Sequence, residues 1–290
     1  VTVTGASHKP KTFHGMNEIG IIQDGAVFIK DGNFIDIGTT KKLKKKYTGA
    51  NIKIIDAAGA VVLPGFVDSH THAVFGGNRT GEFVQRIQGK TYLEILKKGG
   101  GIVNTVEQTR KLKFKKLAET SRKYLDTMLL HGTTTVEIKS GYGLDINTEL
   151  KILKVIHHLQ KTHSMDIVAT FLGAHMIPPE YKNDPDTYIK LVCNVLPKVK
   201  SYATFCDTFC DVGAFSIKQS ERVLKTAKSL GFRLKIHTNE FEDIGGVSLA
   251  IQLEAVSADH LDNIKHRDIV RLKESNVICV LLPGVPFFLM

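Results

Sequence analysis

Two histidines spaced two residues apart close an apolar stretch near residue 70. The stretch VVLPGFVDSHTH runs from Val61 to His72 and contains both His70 and His72. Because alternate side chains of an extended strand point to the same side, the two imidazole rings face one region. Neutral imidazole nitrogen is a good ligand for zinc and related divalent ions. The stretch therefore predicts a buried strand that presents two metal ligands. The competing interpretation is a polar strand end whose histidines only form hydrogen bonds.

Residues suited to hydrolysis also follow the later apolar segments of the chain. They are Arg79 in FGGNR, Lys139 and Tyr142 in KSGYG, His175 in FLGAH, His237 and Glu240 in IHTNE, and Asp259 and His260 in SADH. Five histidines at the ends of four predicted strands indicate a metal-dependent hydrolase. A divalent ion held by His70, His72 and His237 would lower the pKa of a bound water toward about 7 and polarise a carbonyl oxygen.

Four of the remaining residues are candidates for contact with a substrate. Glu240, three residues after His237, can orient the water or a ring nitrogen, and the alternative is a solvated loop carboxylate. His260 can hold or protonate an oxyanion. Arg79 can bind a carboxylate through two parallel hydrogen bonds, and the Tyr142 hydroxyl can share that task. Together they predict a small anionic substrate.

The pattern of apolar segments changes near residue 60. Residues 1–60 contain a hairpin signal, GAVFIKDGNFIDIG with Asp31 and Gly32 at its turn, and a brief strand at 51–55, which predict a small β-sandwich-like unit. From 61 to 290, strands alternate with amphipathic helices, as in a parallel sheet with crossover connections. The predicted strands are Val61–Asp68, Thr133–Lys139, Ile167–Gly173, Thr204–Val212, Arg233–His237, Ala255–Asp259 and Val277–Leu282.

Polar residues at so many strand ends favour an α/β fold of the (β/α)8 TIM-barrel type over an open sheet, in which one switch point would carry the site. The two clearest crossover helices are predicted at Asn147–His163 and Ser216–Leu230. The chain stops after the seventh predicted strand. We therefore expect a barrel truncated before its eighth strand, and an N-terminal β unit without the strands that complete its core.

Composition places the chain among ordinary globular proteins. Of its 290 residues, 42% are hydrophobic and 23% are charged, and no apolar run approaches the ~20 residues of a membrane span. The N-terminus lacks a signal-peptide core and the four cysteines suit a reducing compartment, so we expect a cytoplasmic protein. The net charge of +10 is densest at Lys41–Lys46 and Lys111–Lys116, and the chain contains no Trp. These runs indicate solvated faces and argue against a nucleic-acid site.

Several motifs resemble those of the imidazolonepropionases, a mononuclear branch of the amidohydrolase superfamily. They are PGFVDSHTHAVFGGNR, GGG at 99–101, VEIKSGYGLD, FLGAH, HTNEF and VSADHL, and they span nearly the whole chain. The resemblance implies hydrolysis of the cyclic amide of 4-imidazolone-5-propionate to N-formimino-L-glutamate in histidine degradation. It also implies one zinc or iron ion per subunit, a barrel of the amidohydrolase type, and a homodimer in the full-length protein.

The resemblance also implies a role for each candidate residue. The metal ligands would be His70, His72 and His237. Arg79 and Tyr142 would bind the substrate carboxylate. His175, Glu240 and His260 would surround the ring and the attacked carbonyl. Glu240 and His260 would be the catalytic pair. Thr238 and Asn239 stand where the family usually has Ala-Asp, a change that we expect to be tolerated. The eighth-strand Asp that serves as fourth ligand and general base would lie beyond Met290, so we expect residues 1–290 alone to be inactive.

Other interpretations stay open. Binuclear amidohydrolases such as dihydroorotase and hydantoinase bridge two metals with a carboxylated lysine on the fourth strand, but TFCDTFCDVGA offers none and Lys139 lies on the second strand. We therefore expect a single metal and ordinary polar contacts for Lys139. Deaminases of the superfamily share the histidines but have no evident need for Arg79 and Tyr142 together. A protein of another class, a truncated and catalytically silent binding protein, is suggested only by the missing strand.

Overall fold

The computed structural model describes residues 15, 17–49, 51–90, 94–95 and 99–289. The chain divides into two compact units, Val1–Phe66 and Val67–Met290. In the first unit, β1 (Gly25–Lys30) and β2 (Asn33–Thr39) pair antiparallel. Asp31 and Gly32 between them have φ of 52° and 77°, the left-handed conformation that a two-residue hairpin turn requires. The predicted hairpin is confirmed.

A short helix, α1 (Thr40–Lys46), follows the hairpin. The Thr39 side chain accepts a hydrogen bond from the backbone N–H of Lys42 and caps the helix. Leu43 is buried at 6% exposure, whereas the lysines of this run are exposed. The interpretation of the run as a solvated face is therefore confirmed, because its one apolar residue supplies the inward contact.

The brief strand predicted at 51–55 is wrong. The structure assigns no strand to residues 51–57, and Ile54 and Ile55 are 72% and 82% exposed. A strand needs a partner for its backbone N–H and C=O groups, and no strand in the described part of the chain pairs with this segment.

The second unit contains a seven-stranded sheet. Its strands follow one another in chain order from β3 to β9, and the pairs from β4 to β9 are parallel. The strands are β3 (Phe66–Thr71), β4 (Thr133–Lys139), β5 (Asp166–Ala174), β6 (Phe205–Cys210), β7 (Arg233–Thr238), β8 (Ser257–His260) and β9 (Ile278–Val280). A doubly wound sheet would reverse its order at a switch point, so this unbroken order is that of a TIM-type barrel. Seven strands and the barrel architecture are confirmed.

Helices connect the strands. They are α2 (Thr80–Ile87), α3 (Ile102–Lys111), α4 (Phe114–Leu130), α5 (Ile146–Thr162), α6 (Pro185–Val199), α7 (Ile217–Ser229), α8 (Gly246–Gln252), α9 (His266–Lys273) and α10 (Gly284–Leu289). Ile152, Ile156 and Leu159 of α5 have no exposed surface, as the predicted amphipathic pattern requires. The helix α7 begins with a capping box between Ser216 and Gln219. Among the described helices we find none with the length and apolar character needed to cross a bilayer.

The first barrel strand begins later than predicted. Val61, Val62 and Leu63 were expected to start a buried strand, but β3 begins at Phe66 and these three residues are 63%, 43% and 44% exposed. Pro64 has no N–H to donate to a ladder, which prevents an earlier start. Since β3 is the terminal strand of the described sheet, one of its edges faces no neighbouring strand.

Candidate metal centre and substrate site

Five histidines converge at the carboxyl ends of the barrel strands. His70 lies in β3 and His72 just after it, His175 follows β5, His237 lies in β7, and His260 ends β8. The ring centroids of His70 and His237 are 4.5 Å apart, and those of His72 and His175 are 4.7 Å apart. The ring of His260 lies 5.2 Å from that of His237. Strand ends from four parts of the chain thus bring all five predicted histidines into one cluster.

Two sets of three histidines in the described chain can share a metal ion. One is His70, His237 and His260, and the other is His72, His175 and His237, each with ligand nitrogens within 4.8 Å of one another. His237 belongs to both sets. The predicted ligands His70, His72 and His237 are therefore divided between the two sets, and His237 is the residue that joins them.

Several buried nitrogens of this cluster have no hydrogen-bond partner. They are Nδ1 of His72, both ring nitrogens of His237, and Nδ1 of His260. The His237 Nδ1 atom lies 2.9 Å from an Asp207 oxygen, but without hydrogen-bond geometry. A buried polar atom without a partner costs about 1–3 kcal/mol, so several of them at one point are expected where a ligand supplies the missing contact.

The protonation states of the histidines suit metal binding. Burial lowers the pKa of His72 and His237 well below the usual value, and it lowers the pKa of His175 to about 4 and of His260 to about 3. These four rings are therefore neutral at pH 7 and keep a lone pair for a metal. The donor set fits a divalent metal ion.

The carboxylate of Asp259 orients His70. The Nδ1 atom of His70 donates to Asp259 at 2.6 Å, which leaves Nε2 for a ligand, and the Ser257 hydroxyl donates to the other Asp259 oxygen at 2.6 Å. Burial acts to raise the pKa of Asp259, but the Lys139 ammonium and the His70 hydrogen bond outweigh it and hold the pKa below its usual range. A carboxylate that fixes the ring of a metal-binding histidine is a common supporting interaction.

Behind the histidines lies a buried ionic cluster that the sequence interpretation missed. The Lys139 ammonium lies 2.7 Å from Asp207, 3.1 Å from Asp259 and 3.1 Å from Glu137, and Lys235 lies 2.5 Å from Glu137. Burial alone would lower the pKa of Lys139, but the three carboxylates raise it. Lys139 thus makes polar contacts, as expected, but its partners are three buried carboxylates, which the sequence did not identify.

The ionic cluster favours a cation at the histidines. Three carboxylates and two ammonium groups sum to −3 + 2 = −1. A negative charge in a site from which water is largely excluded attracts a metal ion more strongly than it would in water. The sequence did contain a signal, since charged residues alternate along apolar strands at Glu137 and Lys139 and again at Lys235 and His237.

Glu240 and His260 lie together at the rim of the cluster. The Nδ1 atom of His260 is 3.5 Å from a Glu240 oxygen. Burial, followed by the charges of Asp211 and Asp262, raises the pKa of Glu240 to about 7. Asp211 also holds the Glu240 segment, because its carboxylate accepts the backbone N–H of Glu240 at 2.7 Å. A carboxyl group with this pKa can both give and take a proton near neutral pH.

Asn239, the residue before Glu240, adopts a backbone conformation that asparagine favours. Asn239 has φ of 56°, a left-handed conformation in which asparagine is enriched. The Thr238 hydroxyl donates to the Asn239 side chain at 2.8 Å. The Thr-Asn pair therefore fits the turn that places Glu240.

Tyr142 packs against two of the histidines, and Arg79 lies near one of them. The Tyr142 ring is 5.2 Å from the His72 ring and 5.4 Å from the His175 ring. Arg79 donates from Nε to the Thr105 hydroxyl at 2.9 Å. Burial is the main cause that lowers the pKa of His175, and the positive charge of Arg79 lowers it further. The structure thus brings Tyr142 and His175 into the histidine cluster, and Arg79 lies near enough for its charge to act on His175.

Comparison with known proteins agrees with this geometry. The amidohydrolase family matches residues 61–280. An imidazolonepropionase of Clostridium tetani is 46% identical over 99% of this chain, which spans 69% of that relative's length. An imidazolonepropionase of Geobacillus kaustophilus is 44% identical over the whole chain, which spans 70% of its length.

Solved structures at low identity share the fold. The 5-methylcytosine deaminase of Klebsiella pneumoniae superposes with a TM-score of 0.61 at 14% identity, over 87% of this chain and 61% of that one. The guanine deaminase of C. acetobutylicum gives a TM-score of 0.56 at 17% identity, over 92% of this chain and 64% of that one. These structures show the fold alone, whereas the sequence relatives identify the family. The chain belongs to the amidohydrolase family and, within it, to the imidazolonepropionases.

Proposed function

We infer that the protein hydrolyses the cyclic amide of 4-imidazolone-5-propionate to N-formimino-L-glutamate, a step of histidine degradation. The observation that carries this inference is the convergence of five histidines with Glu240 and Tyr142. The histidines supply a metal site, Glu240 supplies a proton-transfer group, and Arg79 and Tyr142 supply contacts for a carboxylate. The names of the sequence relatives agree with that chemistry.

We propose His70, His72 and His237 as the residues that hold the metal. A bound divalent ion would supply an activated water and polarise the amide carbonyl. All three ligands offer imidazole nitrogen, which suits both zinc and iron, so the identity of the metal is left to metal analysis. The carboxylate of Asp259 supports this set by fixing the ring of His70.

We propose Glu240 and His260 as the catalytic residues. With a pKa of about 7, Glu240 can orient the attacking water and give a proton to the ring nitrogen as the C–N bond breaks, while the eighth-strand Asp that the family resemblance implies would take the proton of that water. His260 is neutral at pH 7, because burial lowers its pKa to about 3. A neutral ring keeps one N–H, with which it can donate a hydrogen bond to the developing oxyanion.

Substrate binding is assigned to residues beside the metal cluster. Arg79 and Tyr142 would bind the propionate carboxylate, and His175 would lie against the imidazolone ring. The stacking of the His72 and His175 rings supports this arrangement, because two nearly parallel rings beside Tyr142 offer a flat surface to a planar substrate ring. An anionic substrate also suits a chain with a net charge of +10.

We further propose that residues 61–290 belong to the hydrolase barrel and residues 1–60 to a separate small β domain. The match of the family model from residue 61 supports this boundary. A cytoplasmic location is supported by the four free cysteines, which suit a reducing compartment. The homodimer expected of the full-length protein rests on the family resemblance alone.

The proposal is tested by giving the full-length, metal-loaded protein 4-imidazolone-5-propionate and, separately, an aminopurine and an aminopyrimidine. We expect stoichiometric N-formimino-L-glutamate from the first compound and no ammonia from the other two. Ammonia release without turnover of the imidazolone would replace the proposal with a deaminase. Binding of the imidazolone without any turnover would support the silent binding protein.

A further inference from the structure

The loop between β4 and α5 carries Tyr142 to the histidine cluster. Its residues 140–144 read Ser-Gly-Tyr-Gly-Leu. The Tyr142 ring packs within 5.4 Å of His175, measured between centroids, and the Nδ1 atom of His175 donates to the Gly141 carbonyl at 3.0 Å. The position of this loop therefore sets two side chains of the proposed substrate site.

One buried carboxylate holds the whole loop. Glu149, in the first turn of α5 and 2% exposed, accepts the backbone N–H of Gly141 at 2.9 Å through Oε2. Its Oε1 atom accepts the N–H of Gly143 at 2.7 Å and of Leu144 at 3.0 Å. The Ser140 side chain is a fourth hydrogen-bond partner. Since a carboxylate has about four acceptor positions, Glu149 is saturated by donors from this single loop.

Close packing leaves no room for a side chain at either glycine of the loop. Gly141 has φ of +110°, and a Cβ there would lie 2.9 Å from the side chain of His175. A Cβ on Gly143 would lie 2.7 Å from the Glu149 backbone nitrogen and 2.8 Å from its Oε1. The two glycines flanking Tyr142 therefore let the backbone approach His175 on one side and Glu149 on the other.

We propose that Glu149 is a positioning residue for the substrate: by binding the backbone of residues 140–144, it fixes Tyr142 where Tyr142 contacts the carboxylate. This inference rests on the proposed function, which gives Tyr142 that contact. Glu149 itself touches no reacting atom. The competing role is a purely structural one, in which an acidic residue in the first turn stabilises α5.

The test is Glu149→Gln in the full-length, metal-loaded protein. Glutamine has the same shape but sets an NH2 group against at least one loop N–H, so the loop loses an acceptor without losing volume. We expect KM for 4-imidazolone-5-propionate to rise about 10-fold, which corresponds to about 1.4 kcal/mol, with kcat changed less than about 3-fold and metal content unchanged. Ile156→Val is the matched control, because it removes a methyl group from the fully buried face of the same helix. It should leave KM unchanged.

A double-mutant cycle separates the two roles. If Glu149 acts through Tyr142, then Glu149→Gln should raise KM by less than about 3-fold in a Tyr142→Phe background. The same 10-fold factor in both backgrounds would overturn the proposal, as would an equal rise of KM in Ile156→Val. Should Glu149→Gln fail to fold, Ser140→Ala removes one partner of Glu149, together with the acceptor of the Leu172 backbone N–H, and should show the same pattern of KM against kcat at a smaller size.

Hydrogen exchange gives a readout that does not depend on activity. Backbone amides at 141, 143 and 144 should exchange at least about 10-fold faster in Glu149→Gln, while those of β5 exchange as in the wild type. Unchanged exchange at these three amides would refute the positioning role whatever the kinetics show. Faster exchange in a protein whose wild type does not hydrolyse the imidazolone would instead refute the proposed function and leave the role of Glu149 in the loop intact.

Discussion

Replacing Asp259 by asparagine should weaken metal binding without changing the shape of the site. In the structure, one Asp259 oxygen lies 2.6 Å from His70 Nδ1 and 3.1 Å from the Lys139 ammonium. An asparagine oxygen can accept one of these donors, but it carries no charge, and its NH2 group cannot accept from a donor. The hydrogen bond that holds the His70 ring is thereby weakened or lost.

The size of the effect follows from these contacts. A hydrogen bond to a charged group contributes about 1.5–3 kcal/mol, and loss of a carboxylate that supports a metal ligand costs about 10–100-fold in affinity. We therefore expect the dissociation constant for zinc, measured by competition with a chromophoric chelator, to rise about 10–100-fold in Asp259→Asn. The control is Asp268→Asn, a buried carboxylate of α9 that pairs with Arg267 and Arg271 away from the site. Equal zinc affinity in the wild type and both variants would refute the reasoning.

Three further predictions concern single side chains. His70→Ala or His237→Ala should remove most of the bound metal, and near-stoichiometric metal in both purified variants would contradict the ligand assignment. Arg79→Met should raise KM about 10–100-fold with metal content unchanged, from the loss of about 1.5–3 kcal/mol of charge-assisted binding, and an unchanged KM would make Arg79 structural. Glu240→Gln should abolish most turnover yet gain stability relative to the wild type as pH rises from 5 to 8, in melting curves of the metal-free proteins. The folded-state pKa of about 7 lies above the usual glutamate pKa of 4.5, so the folded wild type must ionise a buried carboxyl over that interval, at a cost of up to about 3 kcal/mol. An equal or falling stability difference would argue that Glu240 is solvated.

Much of the barrel follows from its sequence because apolar runs of strand length are separated by helical periodicity. The strand at Thr133–Lys139 has the predicted bounds, and α5 lies within one residue of its prediction. The failures occur where a segment depends on neighbours that are distant in the chain. Residues 51–55 have the composition of a strand but no partner in the described chain. Val61 is apolar yet 63% exposed, because β3 begins only at Phe66 and leaves Val61 outside the sheet.

The candidate site was partly visible in the sequence for a similar reason. Histidines at strand ends predict a cluster because the barrel brings all strand ends to one face. The partners of Lys139 were not predictable from spacing, since Asp207 and Asp259 approach it from two other strands. Glu149 was missed because its partners are backbone N–H groups, which every sequence possesses and no motif reveals. Side-chain types thus indicated the chemistry, whereas the interactions that position them required the fold.

The central claim is that one metal held by the histidine cluster supports hydrolysis of 4-imidazolone-5-propionate. The most direct measurement is the turnover rate of the metal-free, full-length protein as zinc or iron(II) is added back in steps. We expect no activity without metal and a linear rise that ends at one ion per chain. Full activity in the metal-free protein, or a rise that continues to two ions per chain, would contradict it.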